Sequence, residues 1–228
     1  MLSYKLILPA VLVVASSASA DLYVTSYGDA QYDQGPGFVD NLDLTTVLVS
    51  NDLENVYFRI QTSSYESWTR YLVFLDTAEG AGISGNNNPW LRNIEMGGNG
   101  IDYFVGAYNN ESDNGGAALL YSANDSGSWD QINDGADHQD RGTHSFSMAF
   151  SIAMADLGLG INDTFSFEVA TTGGDNGNPA TDLMNGNSGT WGGSSSFGDG
   201  MLEYTIVPAP GALSLLAMAG LVARRRRA

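Results

Sequence analysis

The chain has 228 residues, no cysteine and a formal net charge of −17. All 26 acidic residues lie between Asp21 and Ile206, against four arginines (Arg59, Arg70, Arg92, Arg141) and no lysine, so that stretch carries −22 formal charges. This sign excludes nucleic acid and an anionic bilayer surface as its natural partners, and the missing thiols exclude disulfide, zinc–thiolate and cysteine chemistry.

In chain order, Lys5 precedes an apolar run, Leu6 to Ala15, and Ala18-Ser19-Ala20 follows with small residues before Asp21. This pattern predicts a secretory signal peptide over residues 1–20. The stretch 21–206 is of a length for one domain, and without disulfides it must be held by its core. It reads as β throughout. Strands are expected at Leu22–Tyr27, Leu44–Ser50, Val56–Gln61, Tyr71–Leu75, Ile101–Ala107, Ala117–Ser122, Ser145–Ile152, Thr164–Val169 and Met201–Ile206. Val56–Gln61, Ser145–Ile152 and Thr164–Val169 alternate apolar and polar residues with period two, the mark of a half-buried strand. Tyr71–Leu75 is apolar without a break, which predicts a central strand buried on both faces. The one helical candidate is a single turn at Ala153–Leu157, ended by Gly158.

Long Gly/Asn/Asp/Ser stretches separate the strands: 79–88, 109–116, 124–143 and 173–197. Such residues accept positive φ and make local side-chain turns. About nine strands, little helix and polar loops predict an all-β protein, a single β-sandwich of jelly-roll-like order. No internal repeat is present, which argues against a propeller or solenoid.

The chain ends in Val207-Pro208-Ala209-Pro210-Gly211, an uncharged apolar run from Ala212 to Ala223, and Arg224-Arg225-Arg226-Arg227 before Ala228. The run is shorter than the about 20 residues of a full membrane span. It has no polar face, and the arginines fit the cytoplasmic side of a bilayer. Pro208 and Pro210 hold the preceding chain extended. The tail, residues 207–228, resembles the PEP-CTERM sorting signal of Gram-negative bacteria, with Ala209 where that signal carries Glu. The resemblance implies recognition by an exosortase-type sorting enzyme, transient inner-membrane retention through the tail, cleavage near Pro208–Gly211, and delivery to the cell surface or extracellular matrix.

The body carries a second set of landmarks: Asn55 to Ile60, then Tyr71-Leu72-Val73-Phe74-Leu75-Asp76-Thr77, Gly80-Ala81-Gly82, Asp102-Tyr103, Leu157-Gly158-Leu159, Phe165-Ser166-Phe167 and Asp182. This order is similar to DOMON-like and family-9 carbohydrate-binding-module-like β-sandwiches. The resemblance implies sugar binding, haem in some members and structural calcium in some. Haem is not expected here, because His138 and His144 are the only histidines and His138 lies in an acidic loop.

Two kinds of site are candidates. Asp76 at a strand end and Asp102 at the start of the next are oxygen donors of the sort Ca²⁺ takes. So are Asp175 and Asp182, which bound the densest oxygen-rich loop. At each of these the competing reading is a carboxylate that accepts hydrogen bonds from its own turn. Neither the loop at 175–182 nor the Asp-rich stretch Asp125 to Asp140 has EF-hand spacing. Trp90, Trp129 and Trp191 lie in or beside loops, where indoles stack on sugar rings with Arg92 as a polar partner, or else cap the core. No acid–base or nucleophile motif marks an enzyme, though the many carboxylates leave a glycosidase pair open. The sequence therefore predicts an exported, non-catalytic, carbohydrate-binding protein of the extracellular polysaccharide layer. A calcium-bridged adhesive matrix protein is the alternative, and a secreted hydrolase the third.

Overall fold

A computed structural model describes residues 23–34, 39–77, 82–108, 116–132, 136–138 and 147–208. The expected signal peptide and the sorting residues Pro210, Gly211 and Arg224 to Arg227 lie outside the described residues. No helix among the described residues is long and apolar enough to cross a membrane.

The fold is an all-β sandwich. Its first sheet has five strands: β1 (Tyr23–Gly28), β2 (Leu44–Asn51), β3 (Asn55–Thr62), β10 (Ser147–Ala153) and β9 (Ala136–His138), in that spatial order. The second runs β12 (Asp182–Leu183), β11 (Thr164–Thr172), β4 (Arg70–Asp76), β6 (Tyr103–Tyr108), β7 (Ala117–Ala123) and β8 (Trp129–Ile132). In it β15 (Leu202–Thr205) also pairs with β11. A third, small sheet joins β13 (Gly186–Asn187), β14 (Ser195–Phe197) and β5 (Ile94–Glu95).

Period-two alternation decides which side chains enter the sandwich. Val56, Phe58 and Ile60 of β3 point inward with Met148, Phe150 and Ile152 of β10. From the facing sheet come Tyr71, Val73 and Leu75 of β4 and Phe165, Phe167 and Val169 of β11. Phe58 stacks on Phe150 at 5.5 Å and meets Phe167 edge-on at 5.6 Å, both favoured arrangements for aromatic pairs.

The seven-stranded sheet is buried on its other face too. There Leu72, Phe74, Phe104 and Ala170 lie beneath Ile83, Ile94, Met96, Leu183 and Phe197. These covering residues come from the loops, the small sheet and, for Leu183, the edge strand β12. This is why β4 is apolar at every position from Tyr71 to Leu75 whereas β3 alternates. The nine expected strands are all present within a few residues, and β5, β8, β9, β12, β13 and β14 are six more, short and set in Gly/Asn-rich stretches. The expected turn after β10 forms through Leu157 N–H to Met154 O (3.2 Å), and Gly158 leaves it at φ +65°. A short 3₁₀ turn, Asp40–Leu42, was not expected.

Candidate functional site

One end of the second core carries an arginine–aromatic cleft. Arg70 opens β4 and Tyr108 closes β6; the two are cross-strand partners on the loop-covered face of the sheet. The Arg70 guanidinium lies 5.2 Å over the Tyr108 ring. Above them the turn Trp90-Leu91-Arg92 forms one wall, and Asn176 borders the opening. The cleft is open, of about 270 Å³, just below the ~300–1,000 Å³ typical of small-molecule sites.

The turn is rigidly built. Asn88, 1 % exposed, grips the backbone of Arg92 twice: its Oδ1 accepts from Arg92 N (2.9 Å) and its Nδ2 donates to Arg92 O (2.8 Å). Leu91 is held at φ +52° with its side chain 65 % exposed, a conformation and an exposure both unfavourable for leucine. Its carbonyl accepts from Gly177 N at 2.9 Å, which ties the turn to the loop over the cleft. Trp90 packs edge-on against Phe104 at 5.9 Å, over Gly106, where a Cβ would come within 2.3 Å of the indole. Trp191 rests against Gly173 in the same neighbourhood and is 47 % exposed.

Arg92 is 4 % exposed. Its Nη2 donates to Gly174 O at 3.2 Å, and its Nε and Nη1 have no hydrogen-bond partner. Burial, then the neighbouring Arg70 charge, lowers its pKa to about 10.

The expected sugar contacts thus divide. Trp90 and Arg92 line the cleft, and Trp191 lies beside it against Gly173. Trp129 instead donates its indole N–H to Asn87 O (2.9 Å) and packs on Phe104, capping the second core. Arg70, Tyr108, Asn88 and Leu91 were not singled out in the sequence, although the scarcity of cations was a signal: Arg70 and Arg92 are half of the four basic residues in the body.

The expected metal ligands divide as well. The Asp102 carboxylate accepts from Thr77 N at 2.8 Å and from Thr77 Oγ1 at 3.2 Å, a turn-capping role just past the end of β4 where Asp76 sits. Asp175 is exposed and acts electrostatically on Arg92. Asp182 joins two residues that sequence reading missed. Asp29, Asp33 and Asp182 bring carboxylate oxygens within 4.8 Å of one another. Asp182 is 1 % exposed and accepts from Leu44 N (2.7 Å) and Leu183 N (2.9 Å). Asp29 accepts from Ala30 N through Oδ1, while its buried Oδ2 and the buried Oε1 of Gln34 have no partner. Burial, with the Asp33 charge next, raises Asp29 to about 7. Burial raises Asp182 to about 8, with the charges of Asp29 and Asp33 adding to it. Asp43, fully buried, fixes the loop by accepting from Tyr32 N at 2.7 Å and from the Ser63 hydroxyl.

No family model matches the chain, and no curated protein matches it. Among solved structures it is similar to a chain described under "pH-induced modulation of Streptococcus parasanguinis adhesion by Fap1 fimbriae", at 13 % identity and a TM-score of 0.27. The match covers 83 % of this chain and 97 % of that one.

Proposed function

We propose that this protein is an exported, non-catalytic β-sandwich that binds carbohydrate at the cell surface or in the extracellular polysaccharide layer. The observation that carries the reading is the cleft at Trp90 and Arg92, with Trp191 beside it against Gly173. An indole and two guanidiniums in the walls, with a second indole half open to solvent against the neighbouring Gly173, are groups that stack on and hydrogen-bond to a sugar ring. The side chains are held before any ligand arrives, by Asn88 and by the glycines under both indoles, so little ordering entropy opposes binding. Export rests on the signal-peptide pattern of residues 1–20 and on the sorting-signal pattern of residues 207–228, with an exosortase-type enzyme as its reader.

Glycan-array binding of the full-length protein beside its Trp191→Ala variant tests this. The wild type is expected to bind a defined set of glycans. The variant is expected to lose at least tenfold in affinity while it still folds and unfolds cooperatively, because about half of the indole is open to solvent. Binding to no glycan, or undiminished binding by the variant, counts against the reading.

A second reading is favoured by the Asp29–Asp33–Asp182 group: a divalent cation, Ca²⁺ by the all-oxygen donor set, joins the loop after β1 to β12. Here three carboxylates that repel one another gain a common counter-charge, and the buried Asp29 Oδ2 gains a partner. Thermal unfolding in Ca²⁺ and in chelator is the measurement. Ca²⁺ should raise the midpoint, and the rise should grow between pH 5 and 8 as the raised carboxyls lose their protons to solvent and become free to bind the metal. Asp182→Asn should abolish it. A midpoint indifferent to Ca²⁺ at pH 8 removes this reading.

A further inference from the structure

The cleft has a charge character opposite to that of the rest of the molecule. Arg70 and Arg92 both reach Gly174: the Arg92 Nη2 bonds its carbonyl, and the Arg70 Nη2 lies 3.9 Å from where a Cβ on Gly174 would stand. Two like charges therefore face one small opening. Among the described residues neither has a carboxylate within ion-pair distance, although the body has 26 to offer. Arg70 places its Nη1 on the carbonyls of Ser67 and Thr69, 3.2 Å each, which orients the guanidinium without neutralising it. Burying a guanidinium with two nitrogens unpaired is costly. Placing a second one beside it adds repulsion. An arrangement of this kind is relieved when an anion enters, and arginine pairs are suited to carboxylate because each presents a planar fork of N–H donors.

The aromatic rings beside the arginines narrow the anion's class. Trp90 lies under the Arg92 guanidinium at 5.9 Å, and the Tyr108 ring lies under Arg70. A free inorganic anion has no use for these apolar faces. A pyranose that carries a carboxylate sets that group at the guanidiniums and its ring against the part of Trp90 that borders the opening. We propose that the Arg70–Arg92 cleft is a uronate subsite, which takes one carboxylate-bearing sugar residue of an acidic saccharide, with the carboxylate between the guanidiniums and the ring against Trp90. The inference rests on the carbohydrate reading above and specifies its ligand class. The −22 charge of the surrounding body restricts it further. A densely charged polyanion is repelled over a Debye length of about 10 Å, so the fit is to a single uronate at a chain end or to sparsely charged chains.

NMR titration of the full-length protein tests this with three probes: methyl glucuronoside, the neutral methyl glucoside, and a tri-aspartate peptide. The uronoside is expected to bind at least tenfold tighter than the glucoside and tighter than the peptide. Arg92→Met should reduce that preference to less than twofold. Since Arg92 is buried and its loss affects folding, Arg70→Met on the half-buried wall provides the same reading in a variant expected to fold. Arg59→Met, on the exposed face of β3, should keep the preference. Equal affinity for the two glycosides overturns the uronate assignment and leaves sugar binding in place. A preference that survives in both cleft variants overturns it as well. Peptide binding with neither glycoside bound, or no binding of any probe, overturns this assignment and the carbohydrate reading together.

Discussion

At the scale of single residues, the cleft depends on side chains too small or too polar to draw notice. Gly106 is the clearest. It lies mid-strand in β6, where glycine costs stability relative to alanine, yet a methyl group there would come within 2.3 Å of the Trp90 ring. Gly106→Ala is therefore expected to destabilise the protein by about 1–3 kcal/mol, the usual cost of overpacking a well-filled site, and to push Trp90 outward. A red shift of tryptophan emission together with a lowered melting midpoint is the expected signature. An unchanged spectrum would mean that the indole does not occupy this position. Asn88 belongs to the same class. In the sequence it is one of three consecutive asparagines in a loop, and nothing local distinguishes it from Asn86 and Asn87. Only the fold gives it a buried site with both amide functions spent on Arg92.

At the scale of elements, β11 shows how a strand manages a broken edge. β15 pairs with its Thr164–Phe167 half and β12 with Ala170–Thr171, which leaves Glu168 and Val169 between the two partners. The Glu168 side chain fills this gap. Its Oε1 accepts from Val169 N at 3.0 Å and from Asn185 N at 3.1 Å, while Oε2 has no partner and the residue is fully buried. Burial raises this carboxyl from 4.5 to about 8. The folded state thus holds the proton more tightly than the unfolded chain, so the group's contribution is complete below about pH 4.5 and is lost as pH rises through about 8. Glu168→Gln, which mimics the neutral acid, is expected to flatten part of the fall in melting midpoint between pH 5 and 9 measured in chelator. The variant should be the more stable of the two at pH 9. An identical pH profile in both proteins would show that Glu168 is already ionised at neutral pH.

The elements also show what the sequence could convey. Strands whose pattern reflects a two-sided or one-sided burial were readable, because the period is written into consecutive residues: β3 alternates and β4 does not. Six short strands were not readable. Gly186–Asn187 and Ser195–Phe197 pair only because Ile94–Glu95, about a hundred positions away, supplies the parallel partner for β14. Their residues are those of turns, and tertiary pairing overrides that preference. The metal-ligand set was legible at Asp182 alone, for the same reason. Asp29 and Asp33 sit 149 or more positions earlier, and the start of β2 joins the two regions, with Leu44 N on the Asp182 carboxylate and Thr45 O accepting from Asp29 N; no local spacing does so.

At the scale of the whole molecule, burial and charge are arranged in opposition. The seven-stranded sheet is covered on both faces, so the arginine cleft lies in a layer of loops resting on a rigid floor. Loops on such a floor can present strained turns like that at Leu91 without endangering the core. The few cations are placed with economy: Arg59 stands on the outer face of the five-stranded sheet, and Arg70 and Arg92 share the cleft. An acidic exterior keeps such a protein dispersed, while the cationic cleft favours an anionic group locally.

The contact of the sandwich with Val207 has a mechanical meaning. Asn51, at the end of β2, accepts from Val207 N at 3.1 Å and donates to Val207 O at 2.8 Å, while its Oδ1 also accepts from the Tyr204 hydroxyl at 2.8 Å. Pull applied from beyond Pro208 reaches this latch before it reaches any strand, and only then the four-residue pairing of β15 with β11. The load is thereby shared between both sheets at the point where the chain leaves them. A domain held at a surface by its C-terminus would yield there one hydrogen bond at a time, and the arginine cleft, whose walls belong to β4, β6 and the loops above them, would be spared until the latch had opened.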